Sequence, residues 1–479
     1  MAVERHPLSI PGHPSGDGSF APVVSAYTGA PVAEVEQADA AAIDHVLARQ
    51  RALFADRDGW LPTPERVGVL HRAAGLLARR RDTFADTIAT EGGKPLADAL
   101  VEVDRAATGL VLAAEEAGRL AGVEVPMRAT DAARGRLAFT TREPIGVVAA
   151  VSAFNHPLNL VVHQVAPAVA AGCPVVVKPA SATPLSCLAL VELLVEAGLP
   201  PGWAVALPCP GAVAQELVTD ARIAFLSFIG SHAVGWRMRS QLAPGVRCAL
   251  EHGGAAPMIV DEGADLDLAT QLIRKGGYYH AGQVCVSVQR VFAVGGVTAE
   301  LVARLEEAVA SLRVGDPLDP ATEVGPLIAP AEVERVGAWV DEAAALGARP
   351  AVGGAAVSER VFAPTLLVDA PAEARVLREE VFGPVVSVVG CADLDDAIAR
   401  SNAVPWAFQA AVVTRDIDRA LRAARRLDAT AVMVNDHTAF RVDWMPFGGR
   451  GPSGLGLGGI PYSVEEMTRP KLIVLASPE

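Results

Sequence analysis

Between Pro144 and Val177 the chain carries no Asp, Glu, Lys or Arg, and this run limits the fold more than any other feature. An uncharged stretch of that length either crosses a membrane or lies in a core. Pro144, Pro157, Pro167 and Pro174 interrupt it, and Asn155, His156, Asn159, His163 and Gln164 add polar groups that a spanning helix would not carry. It reads as buried strands and a helix in a globular core, in keeping with 51% apolar and 20% charged residues along the chain.

The neighbouring pattern extends this reading. Short apolar runs at 147–151, 175–177, 204–207, 223–228 and 246–250 alternate with helical spacing at 158–171, 184–196, 213–218 and 232–241. Apolar strands alternating with helices predict a parallel sheet covered on both faces, with ligands beyond the strands' C-terminal ends. A second such series follows Pro257. It has strands around Val291 and at 385–389, 409–413 and 431–434, and helices at 299–312, 331–346, 394–401 and 417–427. A boundary near 251–257 separates the two series, and 479 residues suit two or three domains.

Before them, 1–30 is rich in Gly and Pro and is expected to drape over the surface, whereas 35–122 has helical spacing. Thr63-Pro64 is expected to be an N-cap followed by proline, and 136–142 alternates as a strand does. The net charge of −14, with no basic cluster beyond Arg79-Arg80-Arg81, argues against a nucleic-acid binder. Six cysteines stand singly, with no CxxC pair, which excludes a zinc framework and suits a reducing compartment. No apolar leader follows the basic N-terminal residues, so a cytoplasmic protein is expected.

Chemistry-bearing residues fall at the ends of the predicted strands. Cys285, on the turn Ala281-Gly282-Gln283-Val284-Cys285, is a candidate nucleophile or a buried apolar thiol. Asn155 could donate to an oxyanion or simply make the turn before Pro157. Lys178 could meet a phosphate or ribose hydroxyl, or snorkel at a sheet edge. Phe228-Ile229-Gly230-Ser231 opens a helix whose free N–H groups could hold phosphate. Glu251, before His252-Gly253-Gly254, could be a general base or a turn cap.

In this order and spacing these residues resemble the NAD(P)-dependent aldehyde dehydrogenase superfamily. The likeness includes Phe154-Asn155-His156-Pro157, Lys178-Pro179, Glu251-His252-Gly253-Gly254 and Gly282-Gln283-Val284-Cys285. It continues through Glu379-Glu380-Val381-Phe382-Gly383-Pro384, Pro446-Phe447-Gly448-Gly449 and Ser453-Gly454-Leu455-Gly456. The resemblance implies two doubly wound α/β domains, one Rossmann-like, plus a small β oligomerisation element. It places cofactor binding in 1–122 and 143–251, catalysis in 252–450, and oligomerisation in 123–142 and 451–479, as a homodimer or homotetramer. It implies Cys285 as nucleophile, Asn155 as oxyanion donor and Glu251 as base on water. It also implies that Phe154, Lys178, Ser181, Gly230, Ser231, Val234, Glu380 and Phe382 hold NAD or NADP. The product is a carboxylic acid. An acylating enzyme using coenzyme A and a silent scaffold are the alternatives, and the presence of Glu251 argues against the first.

Three departures from the family pattern bear on function. Leu207-Pro208-Cys209-Pro210-Gly211 lacks the usual glycine spacing on the adenine side. Leu457-Gly458 stands where many relatives carry Arg-Glu. Ser181 stands where NAD-preferring members often carry Glu, so NADP is expected to be accepted. For the substrate, His163, Arg441, Trp444 and Phe447 are the candidates, with His163 as a pocket wall or a satisfied core histidine. Phe440, Trp444 and Phe447 are expected to form an apolar wall. Arg441 could meet an anionic group, and Arg290 is expected in a structural ion pair. Asn435-Asp436-His437-Thr438 and the loop 440–445 resemble the branch of lactaldehyde and related small-aldehyde dehydrogenases.

Overall fold

The computed structural model describes residues 3–13 and 18–477. Parts of the expected ranges at 1–2, 14–17 and 478–479 lie outside the described residues. The uncharged run becomes the strand Val147–Val151 and the helix Asn159–Ala171, every residue of both being buried. Successive strand residues face opposite sides. Val148 and Ala150 pack into one apolar layer with Val161 and Val165, while Val147 and Ala149 join Ile43 and Leu47 in the other. The amide nitrogen of buried Gln164 reaches across the layer, donating to Val151 O at 3.1 Å and Ser227 O at 3.0 Å.

This strand lies inside a six-stranded sheet ordered Gly454–Leu455, Arg247–Glu251, Ile223–Ile229, Val147–Val151, Val175–Lys178, Ala204–Ala206. Only Gly454–Leu455 runs antiparallel, against Arg247–Glu251. A second sheet has seven strands ordered Arg349–Val352, Thr365–Val368, Val385–Cys391, Val288–Val294, Ala256–Val260, Gln409–Val413, Ala431–Val434, parallel except for Arg349–Val352. Thr468–Ala476, Arg136–Pro144 and Glu124–Val125 form a small antiparallel sheet. The protein is thus two α/β bodies with a small β element.

Several elements differ from the sequence-based expectation. The N-terminal stretch is no loose drape: Glu4–His6, Phe20–Val24 and Pro31–Glu36 form a three-stranded sheet. Its prolines hid it. Pro22 sits on an edge strand and Pro31 is the first residue of the central one, the two places a sheet tolerates proline. Pro257 likewise hid the central strand Ala256–Val260, where a register shift between Ala256 and Pro257 accommodates it. Thr63 is not an N-cap but the first helical residue, and its hydroxyl accepts from Arg66 at 2.7 Å.

The segment expected to oligomerise, 451–479, is divided. Gly454–Leu455 completes the first sheet, and Ile460, Val464 and Met467 are buried in the first body's core. Only Thr468–Ala476 joins the outlying sheet, because the apolar spacing of the helix Ile460–Glu466 belongs to that core.

Candidate active site

Val151, Lys178, Ile229 and Glu251 are the last residues of four neighbouring parallel strands, and all four open onto one cavity of about 870 Å³. Cys285 and Glu380 close the cavity from the second body.

The cysteine turn is held under strain. After the helix Leu266–Tyr278, His280, Ala281 and Gly282 take φ of 48°, 53° and 70° in succession. Left-handed backbone costs on the order of 1–3 kcal/mol at a non-glycine residue, so surrounding contacts must hold it. Gln283 supplies them: its amide donates to Pro326 O at 3.2 Å, and its oxygen accepts from Ile328 N at 2.9 Å. Gly282 is required for a second reason. A Cβ there would lie 2.0 Å from Gly383 O, so the turn could not approach the 380–384 loop. Val284 and Val286 anchor the far side against Phe408 and Phe447.

Burial, then the Glu380 and Glu251 carboxylates, push the Cys285 thiol up to about 12, with Arg441 pulling the other way. Asn155 is buried and donates one amide hydrogen to Gln283 O at 2.9 Å. That bond fixes the amide beside the cysteine turn and leaves its second hydrogen for the cavity. The Asn155 turn is set from below. Glu102 accepts from Leu158 N and Asn159 N, each at 3.0 Å, and forms a fully buried ion pair with Lys94. Sequence reasoning missed Glu102, though it left a trace: the residue lies on the apolar stripe Ala99, Val103, Ala106 of its helix.

Glu251 is raised above the ordinary carboxylate range by burial, which Arg441 opposes. A Cβ on Gly458 would fall 2.0 Å from Glu251 Oε1. The absence of a side chain at 458 is therefore what makes room for this carboxylate.

At the other end, Lys178 Nζ donates to Ser181 Oγ at 3.3 Å. Gly230, at φ 157°, turns the chain into the helix His232–Arg239, and Ser231 at its N-cap makes no side-chain cap bond. Val234 lines the same wall. Phe154 and Phe382 meet edge to face at 5.8 Å where the two bodies face each other. Glu380 Oε1 is buried with no hydrogen-bond partner, and burial pushes this carboxyl up to about 8. Gly253 gives it space, since a Cβ there would lie 1.7 Å from that oxygen. Strand ends, a free helix N-terminus and an unpaired buried acceptor together fit a dinucleotide with ribose hydroxyls to donate.

Of the substrate candidates, Arg441 and Phe447 line the cavity, with the Arg441 guanidinium 3.6 Å over the Phe447 ring. Two do not. His163 is a buried core residue bonded to Asp443 at 2.8 Å, because the polar face of its helix is consumed by that carboxylate. Trp444 is 54% exposed and points away, so it forms no part of the apolar wall, which Phe440 and Phe447 make. Among the described residues Arg290 has no acid partner. It donates to three carbonyls, Ala255 O, Arg400 O and Ser401 O, and burial brings it down to about 9. It ties the C-terminal turn of the helix Leu394–Ser401 to the start of the strand Ala256–Val260.

Comparison with known proteins agrees with this geometry. The model described as the aldehyde dehydrogenase family matches residues 14–473. The chain is 39% identical over 475 residues to 3-sulfolactaldehyde dehydrogenase of Priestia megaterium, covering 99% of this chain and 98% of that protein. Among solved structures, aldehyde dehydrogenase 21 from Physcomitrella patens, in complex with the reaction product succinate, superposes with a TM-score of 0.95. It is 34% identical and covers 99% of both chains. A glyceraldehyde-3-phosphate dehydrogenase from Methanocaldococcus jannaschii, complexed with NADP, gives 0.91 at 31% identity over 96% of this chain and 100% of its own.

Proposed function

Because the chain belongs to the aldehyde dehydrogenase family and oxidises an aldehyde with NAD or NADP as acceptor, we propose that Cys285, Glu251 and Asn155 carry that oxidation to a free acid. The supporting observation is their convergence on one cavity at the C-terminal ends of a parallel sheet. Glu251, raised by burial, takes the proton of the Cys285 thiol. The sulfur then bonds to the aldehyde carbon, and the oxygen, now negative, is held by the free Asn155 amide hydrogen and the Cys285 backbone N–H. The cofactor, when bound, supplies the acceptor for the hydride whose loss turns the thiohemiacetal on Cys285 into a thioester. Glu251, having passed the thiol proton to solvent, next takes a proton from water, the hydroxide adds to the thioester carbon, the C–S bond breaks with its electron pair going to sulfur, and the acid leaves.

Lys178 and Ser181 hold the adenine ribose, Gly230, Ser231 and Val234 the pyrophosphate, and Phe154, Glu380 and Phe382 the nicotinamide end. The first body is the cofactor domain, the second the catalytic one, and Thr468–Ala476 with Arg136–Pro144 the oligomerisation element. Exposed Leu137, Leu472, Val474 and Leu475 on that outlying sheet support a homodimer or homotetramer. Six free cysteines support a cytoplasmic setting. Among the described residues no helix is long and apolar enough to cross a membrane. Replacing Cys285 by Ser tests the core of this reading. Cofactor reduction with the best aldehyde falls by a factor on the order of 10⁴ or more, and retention of the original rate overturns it.

A further inference from the structure

Two arginines, Arg105 and Arg441, line the aldehyde end of the cavity, and the charged groups packed behind them do not cancel both. Lys94 is paired with Glu102. Arg105 is paired with Asp443, its Nη2 and Nε donating to the two carboxylate oxygens at 2.6 and 3.2 Å. Asp443 also accepts from His163 Nε2 at 2.8 Å and Asn159 Nδ2 at 3.3 Å, which uses up the acid. Arg441 forms no salt bridge among the described residues. Its Nη2 donates to His163 Nδ1 at 3.2 Å, and its buried Nε has no partner. Phe447 lies beneath its plane, and of the acidic groups that act on it, Glu251, then Asp443 and then Cys285, none makes a hydrogen bond or ion pair with it among the described residues. A guanidinium carries five donors in a planar fork, and among the described residues His163 is the one side chain that accepts from this one, although Arg441 lines the cavity.

The orientation of the ring is defined by its partners. Because Nδ1 accepts from Arg441, the proton must sit on Nε2, which donates to Asp443. Burial and then the neighbouring Arg441 push His163 down to about 4, so it stays neutral and able to accept at ordinary pH. The chain Arg105–Asp443–His163–Arg441 thus cancels one arginine and aims the other.

Resting on the aldehyde-oxidising reading above, we propose that Arg441 receives an anionic terminus on the aldehyde, with His163 as its positioning residue. The substrate class is a short aldehyde bearing carboxylate, sulfonate or phosphate at the end opposite the carbonyl. Its oxygens supply the acceptors that the fork lacks, while Phe440 and Phe447 cover the intervening carbons. A short spacer follows from the placement, since Phe447 carries the Arg441 guanidinium over its ring and belongs to the small apolar cluster against which Cys285 packs.

The test compares kcat/KM for aldehydes of equal length ending in carboxylate, sulfonate, phosphate or methyl. The unaltered enzyme favours an anionic terminus over methyl, and the three anions rank which oxyanion the fork suits. In Arg441→Gln the anionic-to-methyl ratio falls on the order of 10- to 100-fold, mostly through KM. Arg441→Lys recovers part of that ratio, and His163→Asn lowers it less than Arg441→Gln does. A ratio unmoved by Arg441→Gln, or an unaltered enzyme with no preference for anions, overturns the proposal. A second measurement needs no turnover: propanesulfonate slows iodoacetamide labelling of Cys285 in the unaltered protein but not in Arg441→Gln. Equal protection of both overturns the subsite even if no tested aldehyde is oxidised, whereas protection lost only in the variant upholds it.

Discussion

The two ends of the cavity are built in different ways. At the dinucleotide end the wall is mostly main chain: strand ends, the Gly230 turn, a helix N-terminus and the space left by Gly253. At the aldehyde end charged side chains, Arg441 and Arg105, line the cavity, and Asp443 and His163 behind them join the two in one hydrogen-bonded chain. A backbone grip tolerates sequence change around it, because N–H groups are present whatever the side chain. A charge network does not, because removing one member leaves its partners buried and unpaired. Substitutions at the aldehyde end are therefore expected to alter chemistry, and those at the dinucleotide end to alter preference.

The largest effect separating the two ends is expected from Glu251→Gln. The amide cannot take a proton from thiol or water, so steady-state turnover falls about 10²- to 10⁴-fold. Mass spectrometry of protein mixed with aldehyde and cofactor then shows an acyl group retained on Cys285. Unchanged turnover would mean that the base lies elsewhere. A smaller effect is expected from Ser181→Glu at the other end, where a carboxylate replaces the hydroxyl that meets Lys178. Repulsion of a 2′-phosphate should shift the NADP-to-NAD ratio of kcat/KM toward NAD on the order of tenfold, leaving kcat with NAD within about twofold. If the ratio stays put, the ribose does not reach residue 181, and the backbone description of this end fails.

The same contrast explains what the sequence disclosed. Strands such as Val385–Cys391 and Gln409–Val413 are legible because both faces are buried and most of their residues are apolar. Asn155, Glu251 and Lys178 are legible because strand ends can be located. Ala256–Val260 and the N-terminal sheet were hidden by prolines that only tertiary context makes acceptable. The charged end was least legible. Arg105 and Asp443 lie 338 positions apart, and no local period links them. Trp444 misled because an aromatic residue in a pocket loop resembles a wall, yet its neighbour Asp443 is buried while it faces out. Arg290 misled because a buried guanidinium suggests an acid, whereas three carbonyls satisfy it equally well.

Glu380 sits where the two kinds of construction meet, and the smallest predicted effect sharpens the comparison there. Its carboxyl, at about 8, is protonated at pH 6.5 and ionised at pH 9. Only the ionised form raises the Cys285 thiol, so the carboxylate holds the thiolate back in alkaline solution and has no such influence in mild acid. Glu380→Gln removes the charge without removing the side chain. Labelling of Cys285 by iodoacetamide, followed on its own peptide, should then be faster than in the unaltered protein by about 3- to 10-fold at pH 9, within one pKa unit of perturbation. At pH 6.5 the two rates should coincide. A gain of equal size at both pH values would show that the substitution opens the cavity to reagent instead of altering its field. A slower reaction at pH 9 would reverse the sign assigned to Glu380, making this carboxylate an acceptor of the thiol proton.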